Sequence, residues 1–196
     1  MFTGVVEEIG TVRHIESTRS GARLEVAASR VMERLGIDDS ILVAGSALTV
    51  VGRDARSFSA DIVPETLSRT TLGSLTRGSR VNLERAATPQ TALGGQLVRG
   101  YVDTTAKLLD RSAEGEGARL RFVLPKTVRR SVVLTGSITL DGVSLTVTRL
   151  GKTFFEIALI PHAAQRTTLG ALHPGEAANV EVDVIAKYVE RIVRRR

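Results

Sequence analysis

The chain has 196 residues, of which 42% are hydrophobic and 24% charged, and its formal net charge is +6 at pH 7. This length and composition fit one large domain or two of about a hundred residues each, and they exclude wholesale disorder. No apolar run reaches the length of a transmembrane helix, the start "MFTGVVEEIG" lacks the pattern of a secretory signal, and the absence of cysteine excludes disulfides, thiolate metal sites and a cysteine nucleophile. We therefore expect a cytoplasmic protein without a metal site or membrane association.

Short apolar or alternating runs predict β-strands in both halves of the chain. In the first half they lie at 23–27, 40–52, 57–63 and 80–84, and in the second at 119–124, 136–151, 154–160 and 179–184. The runs 40–52 and 136–151 each predict two short strands hinged at a glycine. Short helices are predicted at 29–36 and at 125–133, the second opened by a proline. Short, regularly spaced strands with glycine turns indicate an all-β barrel or sandwich.

The last segment, 185–196, predicts an amphipathic helix that has no counterpart at the end of the first half. Asp183 precedes it as a candidate N-cap. The apolar side chains on helical spacing are Ile185, Tyr188, Val189, Ile192 and Val193. This apolar face needs a partner, either a barrel of the same chain or the same helix in a neighbouring subunit.

Arginine is concentrated at the C-terminus, at Arg191, Arg194, Arg195 and Arg196. Either a polyanion contact or a solvated helix end with favourable dipole charge explains this cluster. Aromatic residues make up only 4% of the chain, and no basic face with interleaved aromatics occurs elsewhere. We therefore favour the helix end and expect no nucleic-acid partner.

The two halves are copies of one another. The motif "RTTLG" at Arg69–Gly73 returns at Arg166–Gly170, 97 positions later, and "GSALTV" at Gly45–Val50 returns at the same offset as "GVSLTV" at Gly142–Val147. Near the start of each copy, Gly4-Val5-Val6 is matched by Gly100-Tyr101-Val102, 96 positions later. A period of this length is too long for a solenoid unit, so each copy should have its own core.

Several motifs together resemble the riboflavin synthase alpha-chain family, which also contains lumazine proteins and fluorescent antenna proteins. They are "MFTG", "LTV" in both halves, "PETLSRTTLG", "VNLERA", "LGGQLVRGYVD" and "DVIAKYVER". The resemblance covers the whole chain and keeps the order and spacing of the blocks. It implies two six-stranded Greek-key barrels, at 1–96 and 97–184, and a C-terminal helix at 185–196 that assembles a homotrimer.

The resemblance also implies a ligand and a reaction. In the family's synthases, two molecules of 6,7-dimethyl-8-ribityllumazine dismutate: one donates a four-carbon unit to the other, giving riboflavin and 5-amino-6-ribitylaminopyrimidinedione. No metal or separate cofactor is required, although bound ribityllumazine or riboflavin is expected. The reaction site lies between the N-terminal barrel of one subunit and the C-terminal barrel of the next.

Carried over residue by residue, the resemblance assigns the ligand-binding positions. In the first half, Gly4, Val5 and Val6 stand where the backbone meets the ring. The other positions there are Ala47, Leu48, Thr49, Asp61, Ile62, Val63, Pro64, Glu65 and Thr66. In the second half they are Gly100, Tyr101, Val102, Thr135, Ser144, Leu145, Thr146, Ile160, Pro161, His162 and Ala163.

The sequence departs from the family pattern at the usual reactive positions. The family's "GGHxxxGH" is here "GGQLVRGY", so Gln96 and Tyr101 replace two histidines. Ala47 replaces a cysteine, Thr135 a lysine, and Ala163 a threonine whose hydroxyl would contact ligand. Histidine titrates near neutral pH, whereas glutamine does not titrate and an unperturbed tyrosine has a pKa of about 10.

The candidate catalytic residues are therefore Ser40 and Asp183, which match the family, with Gln96, Tyr101 and His162 as altered groups. His162 is either a replacement acid or base or an ordinary residue at a strand end. Three functions fit this pattern: a riboflavin synthase with altered auxiliary residues, a non-catalytic lumazine or flavin binder, and a diverged enzyme acting on another ribityl pteridine.

Overall fold

The computed structural model describes residues 1–193, and its first half forms a closed barrel of antiparallel strands. Around this barrel the strands run in the order β1-β2-β5-β4-β3-β6. Their bounds are β1 Glu8–Thr18, β2 Gly21–Ala27, β3 Ser40–Val43, β4 Ser46–Arg53, β5 Ser57–Ile62 and β6 Arg80–Arg85. Alternate residues of these strands point inward, as in β2, where Ala22, Leu24 and Val26 are buried.

The second half repeats the same barrel. Its strands are β7 Thr104–Glu114, β8 Gly117–Val123, β9 Ser137–Leu140, β10 Val143–Leu150, β11 Phe154–Leu159 and β12 Ala177–Val182. They close in the order β10-β11-β8-β7-β12-β9. Each of these strands has the same neighbours as its equivalent in the first barrel, and the order is simply written from another strand and in the opposite direction. Each barrel has its own apolar core, in which Phe58 and the stacked pair Phe122 and Phe155 are fully buried. The predicted fold of two six-stranded barrels is confirmed.

Two predicted helices are corrected. The segment 29–36 contains only a short 3-10 helix at Val31–Glu33, and 125–133 forms hydrogen-bonded turns without a helix. In the second segment Val128 and Val132 are drawn into the barrel core, and the carbonyl of Val128 accepts from the N–H groups of both Ser131 and Val132. β-Branched residues at these positions favour packing against the barrel over a continued helix.

Two helices that the sequence did not predict follow equivalent strands. Helix α1, Pro64–Arg69, follows β5, and α2, Pro161–Arg166, follows β11. Each begins with proline at its first turn, where the missing N–H removes no helical hydrogen bond. Each is followed by a 3-10 turn, at Thr71–Ser74 and Thr168–Ala171.

The C-terminal helix α3 spans Val184–Val193, and the predicted cap is present because the N–H of Ile185 donates to Asp183 Oδ1 at 2.8 Å. Polar contacts attach α3 to the second barrel: Lys187 Nζ lies 2.6 Å from Asp103 Oδ1. The five side chains of the predicted apolar face, Ile185, Tyr188, Val189, Ile192 and Val193, stay 53–66% exposed in the single chain. Arg194, Arg195 and Arg196 lie outside the described residues. Within 1–193, no helix has the length and apolar character needed to cross a membrane.

A reciprocal pair of asparagines joins the barrels. Asn82 Nδ2 donates to the carbonyl of Asp141 at 2.9 Å, and Asn179 Nδ2 donates to the carbonyl of Ala44 at 2.7 Å. Each asparagine also accepts, from the N–H of Thr168 and of Thr71 respectively. Equivalent residues of the two repeats therefore make equivalent contacts across the interface between the barrels.

Candidate functional site

The residues assigned to the ligand form two groups that cross between the barrels. The N–H of Ser144, on β10, donates to the carbonyl of Gly4 at 2.9 Å. In the equivalent place, the N–H of Ala47, on β4, donates to the carbonyl of Gly100 at 2.9 Å. The segment 4–6, which the sequence analysis grouped with the first barrel, therefore lies against the second, where Val6 joins the core.

We call these groups the first and second half-sites. The first half-site consists of 47–49, 61–66 and 100–102; the second consists of 144–146, 160–163 and 4–6. Val50 on β4 lies opposite Ala60 on β5, so the end of β5 runs back beside 47–49. Val147 lies opposite Ile157 in the same way. The crossing completes each half-site with chain from the start of the other repeat.

Exposed apolar side chains mark both half-sites. Val63 and Tyr101 in the first are 57% and 63% exposed, and Ile160 and Val5 in the second are 61% and 69% exposed. The two pairs occupy equivalent places in the repeats. Large exposed side chains of this kind, beside backbone that can donate and accept hydrogen bonds, are typical of a surface that binds a flat aromatic ligand.

Gln96 lies beside the second half-site, in contact with Ser144, and is buried, with 6% exposure. Its Nε2 donates to Thr139 Oγ1 at 2.9 Å, and its Oε1 accepts a hydrogen bond from Ser144 Oγ. Gln96 thus fixes the hydroxyl of a residue assigned to the ligand. Because both ends of the amide are engaged and the group does not titrate, Gln96 can orient Ser144 but cannot exchange a proton with it.

Tyr101 belongs to the first half-site, whereas Gln96 contacts Ser144 of the second, so the two residues that replace the family's histidines are associated with different half-sites. The guanidinium carbon of Arg99 lies 5.0 Å from the centroid of the Tyr101 ring, a cation–π contact. This contact occupies one region of the ring while most of the side chain remains exposed. Tyr101 is therefore placed to stack on a ligand or to donate its hydroxyl.

The remaining candidate catalytic residues are scattered. Ser40, at the start of β3 and opposite Thr49, opens into a groove of about 480 Å³ that also contains Val5. Asp183 caps α3, which gives its carboxylate a structural role. His162 lies exposed in the first turn of α2. Thr135, which was predicted to bind the ligand and not to act in catalysis, belongs to neither half-site. It has a φ of +61° and donates its hydroxyl to the carbonyl of Leu134 at 2.6 Å.

Comparison with known proteins shows the family. A model of the lumazine binding domain matches residues 3–86 and again residues 99–183. The riboflavin synthase of Mycobacterium tuberculosis is 47% identical over 198 aligned residues, which cover 99% of this chain and 98% of that protein. The chain belongs to the riboflavin synthase alpha-chain family. The riboflavin synthases of Bacillus subtilis and Schizosaccharomyces pombe are 36% and 38% identical, covering 100% and 98% of this chain and 91% and 94% of those proteins.

Solved structures of LumP share the fold of this chain. LumP complexed with riboflavin superposes with a TM-score of 0.87 at 24% identity, covering 93% of this chain and 99% of that one. LumP complexed with flavin mononucleotide gives a TM-score of 0.82 at 25% identity, with the same coverage. The family predicted from the sequence motifs is thus confirmed by its members' sequences, and the predicted fold is confirmed by these structures.

Two carboxylates that the sequence analysis did not single out lie directly behind the half-sites. Glu84 accepts from the N–H groups of Thr3 and Gly4, at 2.5 and 3.0 Å, and Glu181 accepts from those of Arg99 and Gly100, at 3.1 and 2.9 Å. Burial raises the pKa of both side chains, and these hydrogen bonds oppose the rise. The available signal was a glutamate retained in both repeats, 97 positions apart, between two apolar residues in β12 and next to Leu83 in β6.

Asp141 is a third carboxylate that sequence reasoning missed, and it lies at the barrel interface. It is 6% exposed, with its Oδ1 accepting from the N–H of Asn179 at 2.8 Å, and it lines a groove of about 460 Å³ between the barrels. Burial raises its pKa to about 7. The equivalent residue of the first repeat is Ala44, with a similar φ of +45° against +46°.

Proposed function

We propose that this protein is a riboflavin synthase that converts two molecules of 6,7-dimethyl-8-ribityllumazine into riboflavin and 5-amino-6-ribitylaminopyrimidinedione. One observation carries the proposal: a single chain has two half-sites of the same construction. The reaction joins two copies of one substrate, and a duplicated barrel provides one surface for each. Family membership supports a riboflavin synthase-like function or lumazine binding in general, and the paired half-sites favour the two-substrate reaction.

Each half-site would hold one pteridine. In the first, Val63 and Tyr101 would contact the ring faces, and the backbone at 100–102 would hydrogen-bond the ring edge. In the second, Ile160 and Val5 would take the equivalent places, with the Ser144 hydroxyl oriented by Gln96. Within the first half-site, Glu65 and Thr66 would contact the ribityl chain. Holding two reactants at contact distance can itself supply several kcal/mol of the barrier reduction.

The chemistry is proton handling and transfer of a four-carbon unit. A methyl group of one bound pteridine loses a proton, and the resulting carbanion attacks the ring of the other, which is the donor. A second carbon–carbon bond then joins the two four-carbon units. Cleavage of the two carbon–nitrogen bonds that held the unit to the donor ring returns protons to those nitrogens and leaves the donor as 5-amino-6-ribitylaminopyrimidinedione. Two substrate molecules contain all the atoms of the two products, so the dismutation needs no external oxidant or reductant. We propose that Ser40, Tyr101 and His162 provide the hydroxyl and imidazole groups that move protons, since Gln96 cannot.

We further propose a homotrimer in which the first half-site of one subunit faces the second half-site of the next. Two observations support this arrangement. The apolar residues of both half-sites are exposed in the single chain, as is the apolar face of α3. A mass three times the 21.0 kDa of the chain in analytical ultracentrifugation is the expected result. For this assembly we propose the units predicted from the sequence, which are an N-terminal barrel at 1–96, a C-terminal barrel at 97–184 and a trimerisation helix at 185–196.

Turnover tests the proposed function. Purified protein should convert the ribityllumazine to riboflavin, followed by riboflavin fluorescence, at some pH between about 6 and 9, where imidazole titrates and phenol begins to. No turnover above the uncatalysed rate across that range would overturn it.

A non-catalytic pteridine binder is the second candidate, favoured by the fully engaged, non-titrating Gln96 and by the absence of any reactive atom at Ala47. Saturable binding of the ribityllumazine without turnover would establish it. If Gln96→His with Tyr101→His then creates turnover, the binder has lost a reaction that its fold still supports.

A further inference from the structure

Glu84 and Glu181 occupy the same place in the two repeats. On β6 the alternate residues Val81 and Leu83 enter the first core, so Glu84 points out of the barrel. On β12, Val180 and Val182 enter the second core and Glu181 points out. Both carboxylates are nevertheless buried, with 4% and 3% exposure. Outward-facing strand residues are buried here because the crossing segments and the other barrel cover them.

Each carboxylate is held by backbone N–H groups of a crossing segment. Glu84 Oε1 accepts from Thr3 N and from Thr3 Oγ1, at 2.8 Å for the hydroxyl, while Oε2 accepts from Gly4 N. The two carboxylate oxygens of Glu181 accept from Arg99 N and Gly100 N. A carboxylate can accept from two adjacent N–H groups at once, whereas the amide of glutamine has only one accepting oxygen.

The crossing segments are clamped from their other side as well. Gly4 and Gly100 have φ values of +78° and +80°, and a Cβ at either would lie 2.5 Å from the Cβ of Ser144 or Ala47. Their carbonyls accept from Ser144 N and Ala47 N. Each segment is therefore fixed between a glutamate of one barrel and a strand of the other.

We propose that Glu84 and Glu181 are crossed positioning residues: Glu84 of the first barrel shapes the second half-site, and Glu181 of the second barrel shapes the first. The proposal rests on the proposed function only in so far as the half-sites bind ribityl pteridines, and it does not require turnover. Its consequence is that loss of either carboxylate weakens the ligand bound to the opposite barrel.

A purely structural role predicts a different pattern. If these glutamates only joined the barrels, removing either one would lower stability and weaken both half-sites alike. The surroundings of the two carboxylates are also unequal, because Glu84 lies near Glu7 whereas Glu181 lies near Lys187 and Asp103. If each glutamate variant weakens only the half-site on the opposite barrel, the common cause is the lost backbone hydrogen bonds. The charged neighbours of the two glutamates differ, so they cannot be that common cause.

The experiment measures binding of 6,7-dimethyl-8-ribityllumazine and of riboflavin by fluorescence titration of the full-length protein. Glu84→Gln and Glu181→Gln are the test variants, and Glu156→Gln, a buried carboxylate paired with Arg121 away from both crossing segments, is the control. Thr49→Trp and Thr146→Trp, at equivalent exposed strand positions, obstruct the first and second half-sites respectively. Circular dichroism at the titration temperature checks that each variant is folded.

With the second half-site obstructed, Glu181→Gln should weaken the remaining ligand by about tenfold or more, which is typical of losing a hydrogen bond to a charged group. Glu84→Gln and Glu156→Gln should change it by less than about twofold. With the first half-site obstructed, the roles of Glu84 and Glu181 should exchange. In the unobstructed protein, each of these two variants should weaken one of two classes of site.

If either variant weakens ligand binding equally at both half-sites, or if neither variant weakens it, the crossed assignment is overturned. The proposed function is not affected by that result. Binding with the crossed pattern but without turnover supports the assignment and refutes the synthase proposal. Absence of any ligand binding in the unmodified protein overturns both.

Discussion

Asp141 should make the stability of this protein fall as pH rises through neutrality. Its carboxyl is buried at the barrel interface, and burial raises its pKa from the ordinary 3.8 to about 7. The folded state therefore binds this proton more tightly than the unfolded state does. The stabilisation that the protonated Asp141 carboxyl contributes, relative to its ionised form, is complete below about pH 4 and is lost as pH rises through about 7. The difference of about three between the folded and ordinary pKa values corresponds to a change of about 4 kcal/mol in the free energy of unfolding over the whole pH window.

Asp141→Asn tests this reasoning because asparagine keeps the accepting oxygen for Asn179 N and tolerates the φ of +46°, but does not titrate. About 3 kcal/mol of the change in unfolding free energy attributed to Asp141 occurs between pH 5 and pH 8. The free energy of unfolding of Asp141→Asn, minus that of the unmodified protein, should therefore increase by about 3 kcal/mol over that range. The chain has no tryptophan, so urea unfolding followed by circular dichroism is the suitable assay.

The controls separate titration from packing. Asp141→Ala copies Ala44 at the equivalent position, and it should remove the same pH dependence while costing about 1–3 kcal/mol at every pH for the acceptor lost to Asn179 N. All variants are compared at one protein concentration, because assembly also contributes to apparent stability. Parallel curves for Asp141→Asn and the unmodified protein from pH 5 to pH 8 would show that Asp141 is ionised in the folded state and that its burial is not the dominant influence.

Three further predictions concern the half-sites and the helix. Gly100→Ala should lower both the melting temperature and pteridine affinity, because it combines a left-handed φ with a Cβ 2.5 Å from that of Ala47; Gly95→Ala, with a φ of +100° and no atom within 4 Å, should show only the smaller backbone cost of about 1 kcal/mol. Ile192→Glu, on the exposed face of α3, should reduce the mass measured by analytical ultracentrifugation to that of one chain without changing the circular dichroism spectrum, and an unchanged mass would exclude this face from the interface. Gln96→His should introduce a titrating group beside Ser144, so if the protein turns over, its pH–rate profile should gain an inflection near 6 to 7; a profile identical to that of the unmodified protein would contradict the placement.

The strands could be predicted where their pattern is local. Alternation in 23–27 and its copy 119–124 identified β2 and β8, since one face of each strand is buried within its own barrel. The long strands β1 and β7 were missed because their second halves are largely exposed and their registers shift at Val12/His14 and Leu108/Asp110. Helices α1 and α2 were missed although proline opens each of them, because six residues are too few to show helical periodicity.

The internal repeat fixed which residues correspond, but it could not say which barrel each one serves. Gly4 and Gly100 were matched correctly by sequence, yet each lies on the barrel of the other repeat. Such a crossing is a property of tertiary contacts and leaves no local pattern at the glycines themselves. It does leave a trace at Asn82, Glu84 and their copies, which are polar, outward-facing and buried in both repeats. Buried polar pairs retained at equivalent positions of the two repeats therefore indicate where these duplicated barrels exchange backbone.

This exchange of backbone between the barrels is relevant to the proposed reaction between two identical substrates. If each barrel built its half-site alone, the relative placement of two bound pteridines would depend only on how the barrels dock. Here each half-site includes a segment held by a carboxylate of the other barrel, so a shift between the barrels would distort both ligand edges together. Because burying these carboxylates is unfavourable without their N–H partners, the structure strongly resists such a shift. Fixed geometry between the half-sites is what the proposed reaction, which depends mainly on positioning, would require.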